Sequence, residues 1–388
     1  MKASILFVDD NENILQGLRR NLRSVRKEWK TQFANCGDNA LDVLDDNDID
    51  VIVTDIRMPG MDGSELLKKA LDAHGRTIRI VLSGQCEEEV ILRLLSVSHQ
   101  YMAKPFDVDL IIDTVRGMLQ LRDLLQDEDL KGFITQIRTL SSLPSLQNQI
   151  MSELAAEETS SNSQLDKLIS KDISLFAKLF QIMNSSYFGN SQNITNMAYV
   201  WELLGREKIT DLIHDNHIMA PLDTSLEQED FITKIWAYSA EAATLSQKIA
   251  EAEQLSAKDV STAYAVGLLH TIGVVILYEF ERQKTGHAPQ NPETLIETSG
   301  SSDNYIQAGG FLIGLWGLPE SLTSAILHQA DPEKGDDPEH EKLTQICHAV
   351  RAMIMPKYFS NLTQESLLNT HYCENNGLIE KLNRWKNL

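Results

Sequence analysis

The chain has 388 residues, of which 42% are hydrophobic and 23% charged, and its formal net charge is -21 at pH 7. This length predicts two or three domains, with enough apolar residues for more than one core. The acidity disfavours nucleic acid and anionic membrane surfaces as partners, because both carry negative charge.

The cysteines and the N-terminus predict a cytoplasmic protein. Cys36, Cys86, Cys347 and Cys373 are isolated and match no zinc-site spacing, which is typical of a reducing compartment. The N-terminus enters a predicted strand at once, so we expect no signal peptide. We also expect no membrane span, because no apolar run approaches the roughly 20 residues that a span needs.

The first third of the chain predicts a doubly wound α/β domain with a five-stranded parallel sheet, like the flavodoxin fold. Short apolar runs alternate there with longer amphipathic stretches, and right-handed crossovers would stack helices on both sheet faces. The predicted strands lie near residues 4–8, 30–34, 51–54, 77–83 and 100–103. The predicted helices lie near residues 12–24, 38–44, 63–73, 87–97 and 107–121.

Polar side chains stand where four of these apolar runs end. Asp9 and Asp10 follow the first run, Asp55 the third, Ser83 the fourth and Lys104 the fifth. The carboxyl ends of parallel strands share one edge of a sheet, so we expect these side chains to meet. Clustered carboxylates repel one another, and a hard cation such as Mg²⁺, which prefers oxygen ligands, removes that cost.

These residue types point to phosphoryl transfer. The expected Mg²⁺ ligands are the aspartates after the first strand, Asp55 and the backbone carbonyl of Arg57. A free oxygen of Asp55 would attack phosphorus, while Lys104 and the hydroxyl of Ser83 would bind the phosphoryl oxygens. Any one of these acidic residues alone could be an ordinary solvated loop residue, but the whole ordered set is hard to explain in that way.

Residues 3 to about 122 resemble the receiver domain of bacterial two-component response regulators. The resemblance implies that Asp55 accepts a phosphoryl group from the phosphohistidine of a sensor histidine kinase, and that Asp9 and Asp10 hold Mg²⁺. The matching motifs are Val8-Asp9-Asp10, Thr54-Asp55-Ile56-Arg57-Met58-Pro59-Gly60-Met61-Asp62-Gly63, Leu82-Ser83-Gly84 and Lys104-Pro105-Phe106.

The same resemblance implies a switch. Ser83 and Lys104 would bind the phosphoryl group and reorganise the surface formed by the fourth predicted helix, the fifth strand and the fifth helix. Tyr101 occupies the position of the family's switch aromatic, although an ordinary half-buried strand tyrosine is the alternative. The next segment, residues 107 to about 128, is predicted as one continuous helix, either the receiver's own packing face or a short dimer seam.

Everything after Lys131 is predicted to be an all-α bundle, because helical periodicity persists without an alternating strand pattern. The segment from Gly267 to Gly273 resembles the Gly-Leu-Leu-His-Asp-Ile-Gly segment of metal-dependent HD-superfamily phosphohydrolases. In this chain Thr271 stands in place of the aspartate ligand, and a threonine cannot replace an anionic ligand.

The wider pattern, over residues 131 to 355, resembles the HDOD domain, a relative of those hydrolases that usually lacks activity. Tyr238 replaces a family histidine, and the final aspartate of the hydrolase pattern falls near Val350. Only His270 remains of four ligands, so we expect a hydrogen-bonded core histidine and no metal. The matching motifs are Leu143-Pro144-Ser145-Leu146, residues 172–179, Asn184-Ser185-Ser186-Tyr187-Phe188-Gly189, residues 194–205, Trp236-Ala237-Tyr238-Ser239, and Leu315-Trp316-Gly317-Leu318-Pro319-Glu320.

The predicted domain order is therefore a receiver domain, a helical connector, an HDOD domain and an unassigned C-terminal extension. Their predicted limits are residues 1–122, 123–130, 131–355 and 356–388. The leading hypothesis is a phosphorylation-controlled response regulator that is not an enzyme beyond the receiver's own Mg²⁺-dependent self-phosphorylation. Its output would be binding of the HDOD domain to an unknown signalling protein, with a homodimer as an open alternative.

The sequence disfavours two rival functions. A metal-dependent cyclic-dinucleotide phosphodiesterase of the HD-GYP kind is disfavoured by the missing ligands and by the lack of a Gly-Tyr-Pro tripeptide. A DNA-binding regulator is disfavoured by the acidity and by the lack of a basic recognition helix. The sequence names neither the cognate kinase nor the downstream partner, and it leaves open whether phosphorylation activates or relieves inhibition.

Overall fold

The computed structural model describes residues 2–84, 94, 97–155, 162–185, 195–215, 218–221, 229–296, 304–335 and 338–388. The chain divides into two compact units. The first comprises residues 1–138, 181–192 and 315–317, and the second comprises residues 139–180, 193–314 and 318–388. The predicted helix near residues 87–97 lies mostly outside the described residues, and so do residues 186–189 of the motif that begins at Asn184.

The first unit contains the predicted five-stranded parallel sheet, in the order β2-β1-β3-β4-β5. The prediction of a doubly wound α/β fold is confirmed. Its central strands are apolar on both faces, and Ile5, Leu6 and Phe7 have no exposed surface. The strands are β1 (Ala3–Val8), β2 (Trp29–Ala34), β3 (Val51–Asp55), β4 (Ile78–Ser83) and β5 (Gln100–Ala103).

Within the described residues, four helices connect or follow these strands. Two of them begin at aspartate caps, because the carboxylate of Asp62 accepts a hydrogen bond from the Glu65 N–H and that of Asp107 accepts one from the Asp109 N–H. The first helix is shorter than predicted, since a 3₁₀ turn follows it. The helices are α1 (Glu12–Asn21), α2 (Gly37–Asp46), α3 (Gly63–Ala73) and α4 (Val108–Asp123).

The prediction of one continuous helix from residue 107 to about 128 is wrong. Helix α4 ends at Asp123, and a separate helix α5 spans Glu128–Gln136. The side chain of Asp127 accepts hydrogen bonds from the backbone N–H groups of Asp129 and Leu130, which have no partner inside the helix. The acidic run therefore starts a new helix instead of ending the old one.

The second unit is helix-rich, as predicted. Its one departure within the described residues is a pair of two-residue parallel strands, β6 (Ser141–Ser142) and β7 (Ala220–Pro221), which are too short to give an alternating pattern. The helices are α6 (Pro144–Ala155), α7 (Asn162–Ile169), α8 (Ile173–Met183), α9 (Met197–Asp215), α10 (Glu229–Ala252), α11 (Ala257–Leu269), α12 (Ile272–Thr285), α13 (Tyr305–Leu315), α14 (Glu320–Leu327), α15 (Glu341–Tyr358), α16 (Gln364–Leu367), α17 (Thr370–Asn375) and α18 (Leu378–Trp385).

One apolar stretch is longer than the sequence analysis recognised. Within the described residues, Ala257–Thr285 is 29 residues long and apolar enough to cross a bilayer by length and composition. It comprises α11 and α12, and 83% of its most apolar window is buried inside the structure. This burial is typical of a core helix pair in a globular domain.

A buried carboxylate caps α8. Asp172 has no exposed surface, and its Oδ1 accepts hydrogen bonds from the Leu175 N–H at 2.8 Å and the Ser142 hydroxyl at 3.0 Å. Among the residues that the structure describes, its Oδ2 has no hydrogen-bond partner. Burial raises the pKa of Asp172 to about 6, and the hydrogen bonds offset part of the rise.

We expect Asp172→Asn to stabilise the second unit at alkaline pH. The folded state holds the Asp172 proton more tightly than the unfolded chain. Protonation of Asp172 therefore stabilises the fold below about pH 4, and this stabilisation is lost as pH rises through about 6. A shift of about 2 pKa units corresponds to at most about 3 kcal/mol. Denaturant unfolding should show that Asp172→Asn raises the free energy of unfolding at pH 8, and that this increase is smaller at pH 4. A gain independent of pH, or an equal gain for the exposed control Asp230→Asn, would contradict this.

Candidate functional site

Four neighbouring strands deliver the predicted site residues to one edge of the sheet. Asp9 directly follows β1, Asp55 ends β3, Ser83 ends β4 and Lys104 directly follows β5. The strand register places these ends side by side, since β1 pairs with β3, β3 with β4, and β4 with β5, all in parallel. The separate apolar runs of the sequence therefore end at one place.

Three carboxylates cluster at this edge. Asp9, Asp10 and Asp55 each offer an oxygen atom, and these atoms lie within 4.8 Å of one another. Asp9 is buried at 2% exposure, whereas Asp10 is exposed. The Asn11 N–H donates to Asp9 Oδ1 at 2.9 Å, which fixes the orientation of the buried carboxylate.

Lys104 bridges the two less exposed carboxylates. Its Nζ donates to Asp9 Oδ2 at 2.7 Å and lies 3.0 Å from Asp55 Oδ2. The other oxygen of Asp55 accepts from the Ile56 N–H at 2.8 Å. Charge-assisted hydrogen bonds of this kind are stronger than neutral ones, so all three side chains are held in place.

The pKa values of Asp55 and Lys104 reflect this pairing. Burial raises the pKa of Asp55, hydrogen bonding and attraction to Lys104 lower it part of the way, and the charge of Asp9 raises it again. Burial alone would lower the pKa of Lys104, but its bonds to Asp9 and Asp55 bring it above the usual value. Lys104 is therefore a cation at neutral pH.

The loop after Asp55 folds back tightly. The Gly63 N–H donates to the Ile56 carbonyl at 2.8 Å, and the Thr54 hydroxyl donates to the Asp55 carbonyl at 2.9 Å. A Cβ atom at position 63 would collide with the Asp55 carbonyl oxygen, so glycine is the residue that fits. The Asp62-Gly63 pair thus supports the backbone on which Asp55 is presented.

The remaining predicted residues lie around this cluster. Tyr101 is 4% exposed, so it is buried rather than half-buried, and its hydroxyl donates to the Gly84 carbonyl at 3.3 Å. Arg57 is exposed in the loop after β3. Ser83 is the last residue of β4, but its side chain lies outside the described part of the structure. The roles of these residues stay predictions.

The donor set at the sheet edge fits Mg²⁺. All three clustered groups are carboxylates, and Mg²⁺ prefers oxygen ligands. Two of these carboxylates, Asp9 and Asp55, pair with the Lys104 ammonium, and a further positive charge would relieve the remaining repulsion within the cluster. This fit rests on the type and the spacing of the ligands.

The second unit brings together the residues at the hydrolase-like positions. His270 is 1% exposed, and its Nε2 lies 2.6 Å from the Tyr238 hydroxyl while its Nδ1 lies 2.8 Å from the Gly267 carbonyl. The carbonyl can only accept, so Nδ1 carries the proton and Nε2 accepts from the phenol. Burial lowers the pKa of His270 to about 4, so the imidazole is neutral and fully hydrogen-bonded.

These positions do not fit a metal ion. Burial raises the pKa of Tyr238 well above its usual value, so its oxygen stays a neutral phenol. The Thr271 and Ser239 hydroxyls lie 2.6 Å apart and bond each other. Val350 is a buried apolar residue of α15. A metal site needs deprotonated ligands, and here the one imidazole already bonds Tyr238.

Sequence reasoning missed a buried pair in the first unit, Arg79 and His99, which are both 2% exposed. Arg79 stands between Ile78 and Ile80 in an apolar run, and a cation there interrupts the pattern of a buried strand. That interruption was the available signal. Its partners could not be read from the sequence, because one of them, Thr135, lies 56 residues away.

Family models match two parts of the chain. The response regulator receiver domain matches residues 5–116, and the HDOD domain matches residues 140–332. A curated relative, the sporulation initiation phosphotransferase F of Bacillus subtilis, is 35% identical over 127 residues, which cover 31% of this chain and 98% of that protein.

Two further proteins are similar to part of this chain. The hydrogenase transcriptional regulatory protein HoxA of Cupriavidus necator is 31% identical over 163 residues, which cover 42% of this chain and only 32% of that protein. A crystal structure of the signal receiver domain of an HD domain-containing protein from Pseudomonas fluorescens Pf-5 is 29% identical. It covers 31% of this chain and 96% of that chain, with a TM-score of 0.30.

Proposed function

This chain belongs to the response regulators and carries a receiver domain followed by an HDOD domain, and we propose that Asp55 is the phosphoacceptor through which a sensor histidine kinase controls the HDOD domain. The observation that carries this proposal is the position of the Lys104 ammonium, 2.7 Å from Asp9 and 3.0 Å from Asp55 at the carboxyl edge of the sheet. This arrangement combines a nucleophile with a positive charge that can receive phosphoryl oxygens.

The proposed reaction is a displacement at phosphorus. An Asp55 oxygen forms a bond to phosphorus while the bond from phosphorus to the donor breaks, and the donor leaves with the electron pair. The donor is a phosphohistidine of the kinase or, in a test, acetyl phosphate. Lys104 then turns from Asp55 towards the phosphoryl oxygens, and the Ser83 hydroxyl donates a hydrogen bond to one of them.

Asp9, Asp10, Asp55 and the backbone carbonyl of Arg57 would hold Mg²⁺. A bound Mg²⁺ ion supplies positive charge that offsets the carboxylates and the incoming phosphoryl group. The buried Asp9 is oriented for such a role by the Asn11 N–H, whereas the exposed Asp10 faces solvent. Tyr101 would follow the state of the site as a switch, since its hydroxyl bonds Gly84, directly after Ser83.

We expect phosphorylation to require Mg²⁺ and Asp9. Incorporation of radiolabelled phosphate from acetyl phosphate should fall to background when EDTA replaces Mg²⁺. Asp9→Asn should raise the Mg²⁺ concentration for half-maximal labelling at least about ten-fold, because a charged ligand is lost. The control Asp62→Asn keeps a helix cap, since asparagine caps as well as aspartate, and should behave as wild type. Labelling that is unchanged in EDTA would refute this site.

The output is proposed to be a binding surface of the HDOD domain for a downstream signalling protein in the cytoplasm. Support comes from the second unit, where His270 and Tyr238 satisfy each other and Thr271 bonds Ser239. Because the described residues at the hydrolase-like positions form no metal-ligand set, we propose that the domain relays the signal through contacts. The same proposal leaves a homodimer open and gives no role to nucleic acid or membrane. Its domain limits are residues 1–122, 123–130, 131–355 and 356–388.

The rival function, a metal-dependent cyclic-dinucleotide phosphodiesterase, makes an opposite prediction about metal content. We expect purified chain to hold iron and manganese far below one equivalent, because His270 is bonded on both nitrogens. Elemental analysis checks this, and Tyr238→His with Thr271→Asp is the matched variant that restores two ligand types. One equivalent of either metal in the C-terminal half, retained when Asp9→Asn disrupts the acidic cluster of the receiver domain, would favour the rival function.

A further inference from the structure

A buried arginine in the first unit donates hydrogen bonds to three separate segments of backbone. Arg79 lies on β4 at 2% exposure. Its Nη1 donates to the Thr77 carbonyl at 2.8 Å, its Nε to the Val97 carbonyl at 2.7 Å and its Nη2 to the Thr135 carbonyl at 2.7 Å. The third of these segments is helix α5.

His99 supplies a second hydrogen bond to α5. The Arg79 backbone N–H donates to His99 Nδ1 at 2.9 Å, so that nitrogen is the acceptor and the ring proton is on Nε2. Nε2 lies 3.0 Å from the Thr135 carbonyl and donates to it. Two donors, one from the start of β4 and one from the residue before β5, therefore converge on one carbonyl oxygen.

That carbonyl belongs to the last turn of α5, where backbone carbonyls have no partner inside the helix. The guanidinium of Arg79 also places a positive charge near the negative end of the helix dipole. Arg79 and His99 thus cap the C-terminus of α5 from the receiver sheet. A further bond, from the Thr135 hydroxyl to the Gly75 carbonyl at 2.9 Å, supports the same contact.

The electrostatics make this contact sensitive to displacement. Burial, with a smaller contribution from the nearby charge of Arg138, lowers the pKa of Arg79 to about 9, which records the cost of holding its charge out of water. The bonds from Arg79 to Val97, Thr77 and Thr135 are between 2.7 and 2.8 Å and offset that cost. If α5 moved away, the guanidinium would lose a charge-assisted bond that offsets part of that cost.

The same two strands carry the switch residues at their other ends. Arg79 is near the start of β4 and Ser83 ends it, about 13 Å further along at about 3.3 Å per residue. His99 directly precedes β5, and Tyr101 is the second residue of that strand. A shift of either strand at the phosphorylation site would therefore be transmitted along continuous backbone to the hydrogen bonds that Arg79 and His99 make with α5.

We propose that Arg79 and His99 form a latch that holds α5 in the unphosphorylated chain and is loosened when Asp55 is phosphorylated. The coupling rests on the proposed function of Asp55, whereas the hold on α5 does not. The latch bonds are already short, so displacement of β4 or β5 lengthens them. Helix α5 leads within a few residues into the second unit, which begins at Thr139, so its release is a route from the phosphoacceptor to the output domain.

Hydrogen exchange of the α5 amides in the full chain tests the hold. Arg79→Met keeps an unbranched apolar stem but removes the guanidinium and its donors, and it should speed exchange in residues 128–136 at least about ten-fold. Arg76→Met is the matched control, because Arg76 also bonds α5, through Asp129 at 2.9 Å, but both side chains are exposed. The control should stay within about two-fold of wild type. Equal exchange in the two variants would overturn the latch.

Acetyl phosphate with Mg²⁺ tests the coupling. Phosphorylation should speed exchange in α5 of the wild-type chain at least about three-fold and have no further effect in Arg79→Met. Unchanged exchange in a wild-type chain shown to be phosphorylated would overturn the coupling. If Asp55 took up no phosphate, the proposed function would fail. The comparison of Arg79→Met with Arg76→Met would still show whether Arg79 holds α5 in place.

A milder variant keeps the test decisive if Arg79→Met does not fold. His99→Asn retains an acceptor for the Arg79 N–H but cannot reach the Thr135 carbonyl. It should speed exchange in α5 by about three-fold, because one of two converging donors is lost. Exchange in His99→Asn that matches wild type would contradict the role of His99 in the latch.

Discussion

Replacing Asp55 with asparagine is expected to reduce labelling by acetyl phosphate and Mg²⁺ to below about 1% of the wild-type level, because an amide is not an anionic nucleophile. The change also removes one of the three clustered carboxylates. Asparagine keeps an oxygen for the Ile56 N–H, which now donates to Asp55 Oδ1 at 2.8 Å, so the loop should keep its fold. The loss would therefore report on chemistry and not on unfolding.

The measurement is the phosphoryl content of the intact chain by mass spectrometry, with far-ultraviolet circular dichroism as a check on folding. Asp62→Asn again serves as the control, since it alters an exposed aspartate close to the same edge and should label normally. If Asp55→Asn were labelled as fully as wild type, the phosphoacceptor would be another residue.

The second large effect is expected for Lys104→Met, which should slow labelling at least about 100-fold because a preorganised positive charge at the phosphoryl oxygens is lost. The same change should raise the pKa of Asp55, since hydrogen bonding and attraction to Lys104 now lower it against the effect of burial. The acid limb of the rate profile should therefore move to higher pH. Both effects have one cause, the lost ammonium group.

Initial labelling rates between pH 5 and pH 9 would separate these two effects. Lys69→Met is a suitable control, because Lys69 is an exposed lysine of α3 whose ion pair with Glu65, at 2.9 Å, lies on the surface. A rate for Lys104→Met within three-fold of wild type, with an unshifted profile, would remove Lys104 from the site.

The sheet edge of the first unit was predictable because its signals are local. Each strand is a short apolar run, and the functional residue follows the run directly, as Asp9 follows Val8 and Lys104 follows Ala103. Parallel pairing then brings distant pieces together without any knowledge of side-chain packing. The predicted helix boundaries were less accurate, since the start of α5 depends on the cap that Asp127 provides.

Contacts between distant segments were not predictable. Tyr238 and His270 are 32 residues apart, and the sequence indicated a core histidine without naming its partner. The grip of Arg79 on Thr135 likewise depends on how α5 packs. The apolar stretch Ala257–Thr285 shows a further limit, because core helices and membrane spans share the same composition and differ in what surrounds them.

The central claim, that phosphorylation at Asp55 alters the helical part of the chain, is tested most directly by hydrogen exchange of the full chain with and without acetyl phosphate and Mg²⁺. The predicted result is a change in exchange within residues 139–388 of wild type that is absent in Asp55→Asn. A phosphorylated wild-type chain whose exchange changes only within residues 1–138 would contradict the account.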